Sequence, residues 1–83
     1  MSKNGISPTS PAWDAVAVIP SDTQMLSYPC RALYIGGAGN VSGVTFEGND
    51  VTFYGLVGGS ILPVQFVQIQ ATGTTATNLV ALY

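Results

Sequence analysis

Short apolar runs, broken by glycine, proline, asparagine and threonine, set the limits on what this chain can become. From Trp13 onward the breaks return about every 8–12 residues, the interval of a small β-sandwich or barrel. No long window carries apolar residues at i, i+3, i+4 and i+7, the mark of an amphipathic helix. The exception is residues 22–26, where one short turn would fit. Six strand candidates result. Asp14–Ile19 is closed by Pro20, and Arg31–Ile35 is ended by Gly36-Gly37-Ala38-Gly39-Asn40. Val41–Phe46 and Val51–Tyr54 make a hairpin across Glu47-Gly48-Asn49-Asp50, whose Gly and Asn are expected to supply positive φ angles. Ile61–Ala71 is the longest candidate, and after a turn at Thr72-Gly73-Thr74-Thr75 the last strand runs from Thr77 to Tyr83. The expected fold is all-β: a small antiparallel β-sandwich or barrel of about six strands, residues 13–83, behind an extended N-terminal arm, residues 1–12.

Within the longest candidate the pattern changes parity. Val64 and Phe66 share one face, whereas Val67 and Ile69 fall on the other, with Gln65, Gln68 and Gln70 interspersed. A strand has period two, so the switch at Phe66–Val67 requires either a β-bulge or a strand covered on both faces, the second face packing on a neighbouring subunit. The run carries no lysine to protect its edge against pairing. The closing run Leu79-Val80-Ala81-Leu82-Tyr83 is too apolar to be left in water and is expected to be paired in the sheet. In the arm, Ser7-Pro8-Thr9-Ser10-Pro11 lacks two backbone donors and disfavours helix, which gives a polyproline-like segment. It is either a frayed terminus or an arm that docks on a neighbouring subunit.

Charge narrows the function. Two Lys/Arg and four Asp/Glu among 83 residues leave a net charge of −2 and a charged fraction of 7%, against about 25% in ordinary soluble domains. Two cations exclude a nucleic-acid footprint and a polybasic membrane contact. No apolar run reaches the roughly 18 residues of a membrane span, and the N-terminus lacks the apolar stretch of a secretory signal. Synthesis and folding in a cytosol are therefore expected. A small domain with a single cysteine has no intrachain disulfide to stabilise it, so oligomerisation is the expected route. Low surface charge agrees with a subunit that buries much of its exterior against copies or partners.

Catalytic chemistry finds few residues to work with. The sequence has no histidine, which removes the commonest general base and metal ligand. Cys30 lies between Pro29 and Arg31, where the cation would favour a thiolate only slightly, and it reads as a half-buried filler. Of the four acids, Asp14, Asp22, Glu47 and Asp50, the last two share one hairpin loop; no loop has the ligand spacing of a calcium site, and that pair reads as solvated turn residues. Gly36-Gly37-Ala38-Gly39 follows a strand, but leads into another strand and lacks the residues of a phosphate loop, so it reads as a glycine turn. Catalytic, metal and cofactor sites are all expected to be absent.

The order of segments resembles that of the spike base proteins of tailed phages and gene transfer agents. The residues that carry this are Ala17-Val18-Ile19-Pro20-Ser21-Asp22, then Arg31-Ala32-Leu33-Tyr34-Ile35-Gly36-Gly37-Ala38-Gly39, then Leu62-Pro63-Val64, then Ala71-Thr72-Gly73-Thr74-Thr75-Ala76, and finally Leu79-Val80-Ala81-Leu82. The resemblance covers residues 13–83 and leaves the arm outside. It implies a non-enzymatic virion component on the capsid exterior that anchors a head spike or fibre. The partners it implies are further copies of the chain (a pentamer at a vertex or a trimer at a local three-fold), the major capsid protein and a spike fibre protein. The expected subunit or capsid contacts are Trp13, Phe66, Val67, Ile69 and Tyr83. Two other readings use the same composition: a cement protein bridging capsomers, and a carbohydrate-binding module built on Trp13, Tyr28, Tyr34 and Tyr54.

Overall fold

A computed structural model describes residues 12–83, so the arm expected over residues 1–12 lies, apart from Ala12, outside the described residues. Seven strands form: β1 (Ala15–Ala17), β2 (Ala32–Ile35), β3 (Gly39–Thr45), β4 (Asp50–Leu56), β5 (Ser60–Leu62), β6 (Phe66–Gln70) and β7 (Val80–Leu82). They make two antiparallel sheets, ordered β1-β7-β2-β5 and β4-β3-β6. The result is a small β-sandwich, as the punctuation predicts.

The count rises from six to seven because the expected strand Ile61–Ala71 is two strands. Pro63 cannot donate to a ladder, and the Val64 N–H turns back onto the Leu62 carbonyl at 2.9 Å, a three-residue turn. The chain crosses there from one sheet to the other, β5 pairing with β2 and β6 with β3. Residues 22–26 also differ from expectation and form no helical turn. Ser21 Oγ accepts the N–H groups of Thr23 and Gln24 at 3.2 and 3.1 Å, the pattern of a helix N-cap, but the chain is then drawn along β6, where the Leu26 N–H bonds the Val67 carbonyl at 2.8 Å. In the loop between β3 and β4 Gly48 alone takes a positive φ, of 91°, and Asn49 does not. The Gly48 N–H bonds the Thr45 carbonyl at 2.8 Å and the Thr45 N–H bonds that of Asn49 at 2.9 Å, the pattern of a three-residue loop closed by a glycine bulge.

The parity switch in β6 is a bulge. Thr45 pairs with Phe66 and Val44 with Gln68, so Val67 is the extra residue. Phe66 and Ile69, three positions apart, therefore both reach the core, at 0% and 2% exposure. They meet Leu33, Ile35 and Ala81 from the facing sheet, with Val41, Cys30 and Leu79 around them. Phe53 stands edge-on to Phe66, the rings 6.0 Å apart at 90°. Gly43 lies beneath this ring, where an added Cβ would fall 2.7 Å from Phe66 Cδ1.

Two long connections finish the sandwich. The segment between β1 and β2 runs along the free edge of β6, where Ser21, Leu26 and Cys30 donate to the carbonyls of Ile69, Val67 and Phe66 at 2.8–3.0 Å. The edge that lacks lysine protection in the sequence is thus capped by the chain itself. The glycine turn after β2 brings the backbone against residues 75–78, and a Cβ on Gly36 would stand 2.5 Å from the Asn78 carbonyl oxygen.

Candidate functional site

The ionisable groups hold the fold together and do not converge. Asp22 accepts the Thr72 N–H at 3.0 Å and the Thr72 hydroxyl at 2.7 Å. These bonds favour its charged form and hold its carboxyl below the ordinary 3.8. Cys30 is fully buried, accepting the Phe66 N–H at 3.4 Å and facing the Val64 carbonyl at 3.7 Å. Burial pushes its thiol up, so the thiolate-favouring effect expected of Arg31 does not prevail, and the residue is more deeply placed than the half-buried filler expected. Glu47 and Asp50 sit exposed at the hairpin end. Among the described residues, no three His, Cys, Asp or Glu side chains approach closely enough to hold a metal ion. Among the described residues no helix is long and apolar enough to cross a membrane.

What the surface offers instead is apolar area, and strand register decides where it lies. Core-facing positions of the four-stranded sheet are taken by Leu33, Ile35 and Ala81. Their neighbours in sequence point to the other side. Pairing aligns these as one row of Ala17, Val80, Tyr34 and Ile61, and a second of Ala15, Leu82 and Ala32. This outer face carries no charged side chain in either row, and its one polar group is the Tyr34 hydroxyl. Ile61 is 57% and Tyr34 37% exposed. Such a face is costly to leave in water and marks an interaction surface.

A second apolar region surrounds Tyr83. The backbone fixes this residue, its N–H bonding the Asp14 carbonyl at 2.8 Å and its own carbonyl accepting from Trp13 at 2.6 Å. Its phenol is held above its usual value, mainly by burial. The Trp13 ring lies 6.4 Å from it at 48°, and the Tyr28 ring 6.0 Å away, edge-on. Between them opens a cleft of about 290 Å³, lined also by Pro29, Cys30, Arg31 and Gln65. Beyond Tyr83 a depression of about 240 Å³ is bordered by Val16, Ile19 and Met25, all exposed. A smaller hollow of about 140 Å³, lined by Trp13, Val16, Tyr28 and Tyr83, connects the two.

The five expected contact residues are distributed unevenly. Trp13 stands 69% exposed at the cleft. Tyr83 forms the cleft floor and is itself mostly buried. Val67 is half-buried at the bulge, while Phe66 and Ile69 present almost no surface and pack in the chain's own core. Of the four aromatics behind the carbohydrate reading, Trp13 and Tyr28 share the cleft; Tyr34 lies on the outer sheet face and Tyr54 on β4. They do not form one platform. The outer face is absent from the sequence reading, and so are Val16, Ile19 and Met25. The alternation of Ala32, Leu33, Tyr34 and Ile35 is the signal that was there to find it.

These features define a class: a small all-β domain with large apolar side chains exposed on its surface. No family model matches the sequence, and no curated protein matches it. Among solved structures, a chain described as part of the "Capsid of native GTA particle computed with C5 symmetry" superposes with a TM-score of 0.83 at 36% identity, over 99% of this chain and 95% of that one. The chain belongs to the family of that gene transfer agent (GTA) capsid chain.

Proposed function

We propose that this protein is a structural virion component of a phage-like particle, working by assembly and not by catalysis. The observation that carries this reading is the full-length likeness, at 36% identity, to a chain of a GTA capsid. The chemistry agrees with it: a protein of 7% charged residues offers one sheet face without charged side chains. Association removes that apolar area from water, at about 25 cal/mol per Å² buried.

In its finer form the proposal is a ring of identical copies on the capsid exterior, seated on the major capsid protein and serving as the base of a head spike or fibre. The five-fold symmetry of the similar particle supports a pentamer over a trimer, and with it a vertex base over a cement protein at three-fold positions. The outer face of the four-stranded sheet and the Trp13 region supply the contacts between copies. Native mass spectrometry of the full-length protein is expected to give a five-subunit species. A monomer at micromolar concentration overturns the oligomer, and three subunits overturn the vertex. A cryo-electron map of the intact particle then tests the position, with density expected on the outer surface at the five-fold axes.

A further inference from the structure

The aromatic cleft is a groove in search of an occupant, and the chain carries a segment that fits it. We propose that the cleft between Trp13 and Tyr28 receives Pro8-Thr9-Ser10-Pro11 from a second copy of this chain; the inference rests on the homo-oligomer proposed above and names one of its contacts.

The first argument is shape. A polyproline II helix has three residues per turn and rises about 3.1 Å per residue, so prolines three apart lie on one ridge about 9 Å from each other. Pro8 and Pro11 have this spacing. Grooves walled by aromatic rings take such ridges, because the helix is preformed and little conformational entropy is lost on docking. Here Trp13 and Tyr28 are the walls, both more than half exposed, and Tyr83 is the floor. Polyproline II backbone makes no internal hydrogen bonds and leaves its carbonyls free. The exposed Gln65 at the cleft offers a side-chain amide to them.

Charge is the second argument. Residues 7–11 carry none, and the cleft lining contains a single ionisable cation, Arg31. Neither side desolvates a carboxylate on docking.

Connectivity selects the second copy. Only Ala12 separates Pro11 from Trp13, which is itself a wall of the cleft. Folding the segment back into its own cleft requires a reversal within that one residue, whereas a β-turn has two central residues. A neighbouring copy has no such restriction. Docking of this kind is head-to-tail, the type of contact that forms a ring where the rotation between copies closes.

Trp13 is the only tryptophan, so its emission reads the cleft directly. The test uses the full-length protein and its Pro8→Ala/Pro11→Ala variant, with folding checked by circular dichroism and mass by light scattering. In the wild type, Trp13 emission is expected to shift to the blue and to resist acrylamide quenching as concentration rises through assembly. In the double variant Trp13 is expected to stay red-shifted and quenchable, and the concentration for half-assembly to rise about tenfold or more. Tyr28→Ala, which changes the groove and leaves the segment intact, is expected to give the same result. A variant that assembles with wild-type Trp13 emission overturns the docking and leaves the oligomer standing. A concentration-independent blue emission, lost in the double variant, places the segment in its own cleft and overturns the exchange between copies. A wild type that stays monomeric refutes the oligomer itself.

Discussion

Replacing Gly43 with alanine separates two opposed effects at the centre of β3. In an open strand, Gly→Ala stabilises by about 0.5–1 kcal/mol, because the unfolded chain loses freedom. Gly43 is not in an open strand. Its added methyl would meet Phe66 Cδ1 at 2.7 Å, Phe66 Cε1 at 2.8 Å and the Gln68 carbonyl oxygen at 2.9 Å. The ring is fully buried against Phe53 and has nowhere to swing, and the carbonyl belongs to the paired β6 backbone. Overpacking of this kind costs about 1–3 kcal/mol, so the net expectation is a loss of about 1–2 kcal/mol. For a domain of this size that lowers Tm by about 5–15 °C. Urea and thermal unfolding should be compared at one fixed protomer concentration, since assembly stabilises the folded state. Phe66→Leu in the same background should recover part of the loss, with a favourable coupling of about 1 kcal/mol. A Gly43→Ala protein as stable as wild type, or strict additivity with Phe66→Leu, would refute the account of the core.

Other outcomes follow from single contacts. Asp22→Asn removes the acceptor charge facing Thr72. Because the folded carboxyl titrates below 3.8, its stabilisation is present above that pH and is lost as pH falls through the lower folded value. The variant's stability should therefore vary less with pH below about 4 than the wild type's, as measured by unfolding across an acid series. Cys30 should react with a thiol reagent only through opening of the fold, with a slow native rate that rises sharply in denaturant. Ile61→Lys, on the outer sheet face, should change protomer stability by less than about 0.5 kcal/mol while preventing multimer formation in light scattering.

Local signals in the sequence were enough for the class of fold. The change of parity between Phe66 and Val67 left a bulge or a strand covered on both faces open, and register decides for the bulge, which brings both Phe66 and Ile69 inward. Pro63 was equally visible, but its effect depends on partners distant in sequence: β2 claims Leu62, while β3 claims Phe66. Contact sites were less legible for the same reason. Apolarity marked Phe66 and Ile69 as candidates without saying which side of the sheet they face. The outer face appears only when Tyr34 is aligned with both Ile61 and Val80. The Trp13 cleft needed residues from four separate stretches, the first and last of them joined by the backbone bonds of Tyr83.

β7 lies between β1 and β2, and those two strands never touch each other through hydrogen bonds. The ribosome therefore delivers the middle of the larger sheet last. By the time Gln70 emerges, the smaller sheet has all its strands, yet the flat side formed by Ala17, Tyr34 and Ile61 still lacks Val80. A chain in which β7 has yet to form therefore lacks both the strand that joins β1 to β2 and a complete outer face.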